Sequence, residues 1–375
     1  MRKIIILCQR FYDPHKKRRS IGGIQTYIHN FLTVAKKTNL EPIIVQYSDF
    51  DFCEDFEGIR IYGVDISKIK RITNRNKALQ RKSVSLSQIG DLFLFATEEL
   101  AFPTPKNKSI AIQHGISWDV PVQTKSSTLS NIMYSIVQAI KSYLRVRYIS
   151  YTNVTVCVDY NYLNWYRTQV SHRDVYFVVI PNFSKVPHNA DKSNHDGVNI
   201  IFARRLQWYR GTRIFAEAIK QILEKYNTVN VTIAGEGPDE AYLHKELDSF
   251  AKVSFIKYSS EESLEIHKDK DIAVVPTIGS EGTSLSLLEA MASGCATICT
   301  NVGGMTNIVI DQFNGLMVSP EISSLYDALE DLITDHDKRM SLAKNSKVIV
   351  EKAFSYELWE KRWIKLINRL INNEI

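Results

Sequence analysis

Two glutamates, Glu281 and Glu289, stand eight residues apart in the run Glu281-Gly282-Thr283-Ser284-Leu285-Ser286-Leu287-Leu288-Glu289. Read as one helical stretch, eight positions turn about 800°, which brings both carboxylates within about 80° of one face. A helix that starts near Thr283 leaves the amides of Gly282, Thr283, Ser284 and Leu285 unpaired, an arrangement suited to an anion. Gly282, lacking a Cβ, lets a phosphate or a sugar approach the backbone. A capped amphipathic helix with two solvated glutamates accounts for the same residues equally well. Two further candidates stand in the first half. Gln113-His114-Gly115 ends an apolar run, and Gly22-Gly23 opens a helical pattern. A histidine at the carboxyl end of a parallel strand lies where α/β sheets place ligands.

The elements that must hold these residues alternate from end to end. Arg2–Cys8 is continuously apolar, the pattern of a strand buried on both faces. Ile24, Tyr27, Ile28, Phe31, Leu32 and Ala35 then follow a helical period. Strands are expected at Pro42–Tyr47, Ile59–Val64, Leu92–Phe95, Ile110–Gln113, Val154–Val158 and Val175–Ile180, with helices near Ser126–Ile149 and Tyr160–Val170. Pro181–Pro187 and the polar stretch His188–Gly197 read as a linker. A second α/β series starts at Val198–Ala203 and runs to strand Asp271–Pro276, helix Thr283–Ser293 and strand Cys295–Thr300, before an all-helical tail. The expected architecture is two doubly wound, Rossmann-like domains facing each other across a cleft. Their expected spans are 1–182, with the C-terminal helix 355–375 packing back on it, and 183–354.

Composition narrows the class. The chain has 375 residues, 44% of them hydrophobic and 23% charged, which excludes collagen-like, disordered and disulfide-scaffold proteins. No apolar run reaches the ~18–20 residues of a membrane span, and the short N-terminal run Ile4–Cys8 is no signal-peptide core. Five cysteines, mostly in apolar strands, fit buried thiols in a reducing compartment, and Cys295-x3-Cys299 lacks the second pair a zinc site needs. The net charge of +6 conceals an asymmetry: residues 1–183 carry 25 Lys and Arg against 14 Asp and Glu, whereas residues 184–375 carry 22 against 27. A basic half suggests an anionic partner, either a phosphate-rich membrane or a nucleic acid.

Around Glu281 the chain resembles the family 4 retaining glycosyltransferases of the GT-B fold, of the bacterial cell-surface polysaccharide type. The residues that carry the resemblance are Val275-Pro276, Glu281 and Glu289 of the E-x7-E signature, Ala290-Met291-Ala292-Ser293-Gly294, Gly303-Gly304 and Asn314-Gly315. The motif Gly-Arg-Leu-x3-Lys-Gly has its counterpart in Arg204-Arg205-Leu206-Gln207-Trp208-Tyr209-Arg210-Gly211, with Arg204 in place of the glycine and Arg210 in place of the lysine. Ala234-Gly235-Glu236-Gly237-Pro238 matches a strand-to-helix turn beside the cleft, where a tight turn alone would explain Gly235. Phe255–Ser259, including Tyr258, matches the segment bordering the nucleotide base, with Lys257 departing from a common glycine.

The resemblance implies transfer of a sugar from a nucleotide-diphosphate sugar with retention of configuration, without metal or other cofactor. It implies that Arg205, Arg210, Gly22, Gly23 and the amides of Gly282, Thr283, Ser284 and Leu285 face the diphosphate. It further implies that Glu281 and His114 touch the transferred sugar and that Glu289 holds the ribose. The expected acceptor is a lipid-linked glycan at the inner face of the cytoplasmic membrane. The helix bearing Ile132, Met133, Ile136, Val137, Ile140 and Leu144, with Lys141, Arg145 and Arg147, is the expected membrane contact, unless it simply packs on its own sheet. A soluble acceptor, a nucleotide-sugar epimerase on the same fold and a nucleic-acid-binding protein are the competing readings. The last leaves the Glu281–Gly304 run unexplained. Asp49-Phe50-Asp51 could be an Asp-x-Asp metal site, but such triplets recur at Asp269 and Asp335 and the two-domain pattern opposes it. NAD and ATP loops are not found.

Overall fold

The computed structural model describes residues 1–20, 22–120, 128–170, 175–187, 195–279 and 281–375. The chain divides into one unit of Met1–His114, Ser126–Ile180 and Glu360–Ile375, and another of Gly115–Lys125 and Pro181–Trp359. The division after Ile180 falls two residues before the expected boundary, and the segment Gly115–Lys125, expected in the first domain, groups with the second unit.

The first unit is built on an eight-stranded sheet. Its order is Tyr176–Val179, Val154–Cys157, Lys108–Gln113, Leu92–Phe95, Arg2–Cys8, Leu40–Ser48, Ile59–Asp65 and Phe52–Phe56. All pairings are parallel except the last. Ile4, Ile5 and Ile6 are wholly buried, as a central strand covered on both faces requires. Two elements of this sheet and its cover, among others, escape the sequence reading. Phe52–Phe56 alternates half-buried and exposed residues and includes two acidic ones, so it shows no apolar run and serves as an edge strand. Helix Ile72–Leu86 buries only Leu79 and Ser83, and its basic residues read as a charged cluster.

The second unit carries a six-stranded, all-parallel sheet in the order Val253–Ile256, Val229–Ala234, Val198–Ala203, Ile272–Val275, Ala296–Thr300 and Leu316–Val318. Successive strands add outward from Val198–Ala203 on one side and then, from Ile272–Val275, on the other. The reversal lies between these two neighbours, and the segments leaving their carboxyl ends, Arg204–Gly211 and Pro276–Ser284, flank the crevice where such sheets bind ligands.

The expected linker is partly structural. Phe183 packs 4.4 Å from Trp359, Ser184 donates its amide to the Phe354 carbonyl (2.9 Å), and Tyr356 donates to the Ser184 carbonyl (3.0 Å). Residues 188–194 of the polar stretch lie outside the described residues. Helix Tyr356–Ile371 starts in the second unit and continues in the first, where Trp363 is wholly buried, lies 4.9 Å from Phe31 and donates from Nε1 to the Tyr27 hydroxyl at 2.8 Å. All five cysteines are free thiols and only Cys53 is exposed.

Candidate active site

Glu281 is the focus of the second unit's crevice. It sits in the turn between strand Ile272–Val275 and helix Leu285–Ala292. Its Oε2 accepts from Arg204 Nη2 at 2.7 Å, from Thr277 Oγ1 at 3.0 Å and from Arg210 Nη1. Arg204 Nη1 also donates to Thr277 Oγ1 at 2.6 Å, which closes a triangle. Burial alone would push the Glu281 carboxyl up, but the guanidinium groups of Arg210 and Arg204 and the bonds from Arg204 and Thr277 hold it below the usual carboxylate range. Glu281 is therefore an anion with one oxygen saturated. Its Oε1 makes no hydrogen bond among the described residues and keeps its acceptor capacity for a hydroxyl.

Arg210 lies face-on to Tyr209, with the guanidinium carbon 5.0 Å from the ring centroid. Arg205 is exposed and has no ion-pair partner among the described residues. The two neighbouring arginines thus divide their work: Arg204 turns inward onto Glu281, and Arg205 remains on the surface at the strand's carboxyl end. In the sequence Arg204 stands out only as a departure from glycine, and Thr277 belongs to no motif. The one signal for Thr277 is its place two residues after a strand end at the switch point.

Gly235 has a backbone reason for its identity. Its φ is +136°, and a Cβ there would lie 2.1 Å from the Arg204 carbonyl oxygen. The close approach sets where Arg204 leaves its strand. Gly303 and Gly304 press in the same way against the Glu281–Gly282 backbone, where Gly304 donates its amide to the Glu281 carbonyl at 2.9 Å.

The helix after Glu281 starts at Leu285, two residues later than expected, with Ser284 as N-cap accepting from the Leu287 amide at 3.5 Å. Glu281 therefore lies outside the helix, and the eight-residue rotation that would align it with Glu289 does not apply. Thr283 is tied down: its Oγ1 accepts from the Asn182 amide (2.8 Å) and its carbonyl from Asn182 Nδ2 (2.5 Å). Asn182, in the expected linker, is thus a support of this turn.

Glu289 faces a different set of partners. Its Oε2 accepts from Ser263 Oγ at 2.5 Å, and burial lifts its carboxyl to about 7. Tyr258 feels both Glu289 and Arg204. Its phenol is pushed up by burial first and by Glu289 second, against the opposing Arg204 charge.

The remaining candidates belong to the first unit. Helix Gly23–Lys37 has Gly22 at its N-cap and no side-chain cap, so its first amides depend on solvent or a ligand. His114 follows strand Lys108–Gln113. Its Nε2 lies 2.9 Å from the Ala96 carbonyl, and its ring stands edge-on to Tyr27 at 5.3 Å. Because a carbonyl can only accept, Nε2 carries the proton. Burial pulls the imidazole down to about 4, so His114 is neutral and Nδ1 is an acceptor. Asp49 bonds His15 (2.9 Å) and Asp51 accepts from the Asp65 amide (2.9 Å).

Residues 186–348 match the family model "Glycosyl transferases group 1". An uncharacterised glycosyltransferase of Methanocaldococcus jannaschii is 24% identical over 99% of this chain and 100% of its own length. The N,N'-diacetylbacillosaminyl-diphospho-undecaprenol alpha-1,3-N-acetylgalactosaminyltransferase of Campylobacter jejuni is 27% identical over 46% of this chain and 45% of its own length. The chain spans about two fifths of the length of other curated relatives that it matches. Among solved structures, HepE of Anabaena in complex with UDP and glucose superposes with a TM-score of 0.73 at 16% identity, covering 98% of this chain and 100% of that one. Likeness at this level establishes the fold, which is GT-B.

Proposed function

We propose that the chain is a retaining glycosyltransferase that moves a sugar from a nucleotide-diphosphate donor to a hydroxyl of a lipid-linked glycan, at the inner face of the cytoplasmic membrane. The observation that carries the reading is the Glu281 cluster: an ionised, half-saturated carboxylate beside the cations of Arg204 and Arg210, at the switch point of a parallel sheet.

Each residue then has a task that its surroundings suit. Arg205 and Arg210, with the amides of Gly282, Thr283, Ser284 and Leu285, neutralise the diphosphate and stabilise the charge that grows on it as it leaves. Gly22 and Gly23 add the uncapped amides of a second helix start. Glu281 accepts from a sugar hydroxyl through Oε1, and neutral His114 accepts from another through Nδ1. Glu289 accepts from the ribose hydroxyls beside Tyr258. In the chemical step the bond from C1 to the phosphate oxygen breaks and the bond from C1 to the acceptor oxygen forms on the same face. The acceptor proton passes to the departing phosphate oxygen. Positioning and charge stabilisation supply the rate, and neither a metal nor a covalent sugar intermediate takes part.

The lipid-linked acceptor is supported by the helix Thr128–Ile149. Ile132, Met133, Ile136 and Ile140 are each at least half exposed on it, and Lys141 and Arg147 are exposed beside them. That pattern suits contact with an anionic bilayer surface. Arg145 is withdrawn from this role, because it pairs with Glu98 (3.3 Å) and Glu99. The Campylobacter relative, by its name, acts on a diphospho-undecaprenol glycan. No helix among the described residues is long and apolar enough to cross a membrane, so contact would be peripheral.

The test is transfer of radiolabelled sugar from a nucleotide-sugar panel to butanol-extractable lipid in bacterial membranes, with the anomeric configuration of the product read by NMR. Label in the lipid phase with a retained anomer is expected. Label only in a water-soluble product would overturn the acceptor, and an inverted anomer would overturn the mechanism.

A further inference from the structure

We propose that Arg204 is a positioning residue of the donor site: it fixes which oxygen of Glu281 is available and adds a second positive charge to the Glu281–Arg210 pair, so that the cluster as a whole attracts the diphosphate. The proposal rests on the donor-site reading above. It concerns a position at which the motif this segment resembles has glycine.

Three observations support it. Arg204 is only 6% exposed, so its charge is held inside the protein beside a counter-charge. Its two terminal nitrogens reach Thr277 Oγ1 at 2.6 Å and Glu281 Oε2 at 2.7 Å, while Thr277 Oγ1 donates onward to the same Oε2 at 3.0 Å. Both of these donors therefore fall on one oxygen, and Oε1 is the one left for a ligand. Third, Arg204 Nε is buried without a partner. Placing a guanidinium here leaves a donor unsatisfied, an arrangement expected where a functional demand outweighs local satisfaction.

With glycine at position 204, one carboxylate would face one guanidinium, and the Glu281–Arg210 pair would sum to zero. With Arg204 the cluster is Glu281 against two guanidinium groups and carries one net positive charge. A nucleoside diphosphate approaching it meets attraction rather than a closed ion pair. The other titratable group that feels Arg204 is Tyr258, which is neutral at ordinary pH.

The test uses the full chain and the variants Arg204→Met, which removes the charge at similar length, and Arg204→Lys, which keeps it without the planar fork. In ligand-free protein the Glu281 carboxyl is titrated by carbon-detected NMR, its signal identified by loss in Glu281→Gln. Arg204→Met should raise the midpoint by about one pH unit or more, and Arg204→Lys should restore much of it. In parallel, calorimetry compares nucleoside diphosphates with the corresponding nucleosides. Arg204→Met should weaken the diphosphate by about tenfold and leave the nucleoside unchanged. An unmoved Glu281 midpoint in folded Arg204→Met, or equal loss of nucleoside and diphosphate, overturns the proposal. If Arg204→Met does not fold, the Arg204→Lys midpoint decides, and it must then lie above that of the wild type. Should the wild type bind no nucleoside diphosphate, the donor-site reading falls, and the ligand-free titration alone decides whether Arg204 sets the Glu281 charge.

Discussion

At the scale of single residues, Glu281 and Glu289 are chemically opposite although they share a motif. Glu281 is held ionised by two guanidinium groups, whereas Glu289 is lifted to about 7 by burial with one hydroxyl partner. Glu281→Gln should therefore lose about a hundredfold in transfer, the worth of ~3 kcal/mol of polar contact at a reacting centre. It should also melt lower than the wild type, because two guanidinium groups lose their counter-charge. Steady-state kinetics and a thermal melt check both. Protonation would turn one Glu289 oxygen into a donor, so the proposed ribose contact calls for the carboxylate, which only accepts. With its carboxyl lifted to about 7, that form dominates above pH 7 and is lost below it. The donor KM should accordingly rise about tenfold between pH 8 and pH 6. Glu289→Gln should flatten that profile, and a KM that does not change with pH in the wild type would remove Glu289 from the donor site.

At the scale of elements, the glycines around the crevice act as spacers between backbone segments. Gly235→Ala would set a Cβ 2.1 Å from the Arg204 carbonyl at a φ of +136°, so a stability loss of about 2–4 kcal/mol is expected. A denaturant melt reads it directly, and an unchanged midpoint would contradict the close approach. The buried parallel strands are plain in the sequence because a strand covered on both faces is an apolar run: Leu92–Phe95 matches its expected span residue for residue. Phe52–Phe56 and Ile72–Leu86 are not, since a half-exposed edge strand and a helix with two buried positions have too little apolar signal to separate from loop. At the site, Glu281, Arg210 and the glycines are legible through motif spacing. The partners of each are not, because helical arithmetic does not hold through a turn that is not helical, and because Thr277, Ser263 and Asn182 meet their partners only once distant strand ends are folded together.

At the scale of the whole molecule, the charge asymmetry and the exposed apolar helix face predict reversible attachment to anionic membranes. Each basic residue near such a surface contributes on the order of 1 kcal/mol, and the attraction fades over about 8 Å at physiological salt. Anionic vesicles should sediment the protein at low salt and release it at high salt. Ile136→Asn with Lys141→Glu and Arg147→Glu should weaken this without slowing donor hydrolysis. Sedimentation that is absent at low salt would leave a soluble acceptor as the reading. The central claim, that the second unit's crevice takes a nucleotide-diphosphate sugar for transfer, is tested most directly by mass spectrometry of a nucleotide-sugar panel incubated with the wild type and with Arg210→Met. The account predicts that at least one donor is consumed with release of its nucleoside diphosphate, and that Arg210→Met slows this by about a hundredfold. A panel left intact by the wild type, or consumed equally fast by Arg210→Met, would contradict it.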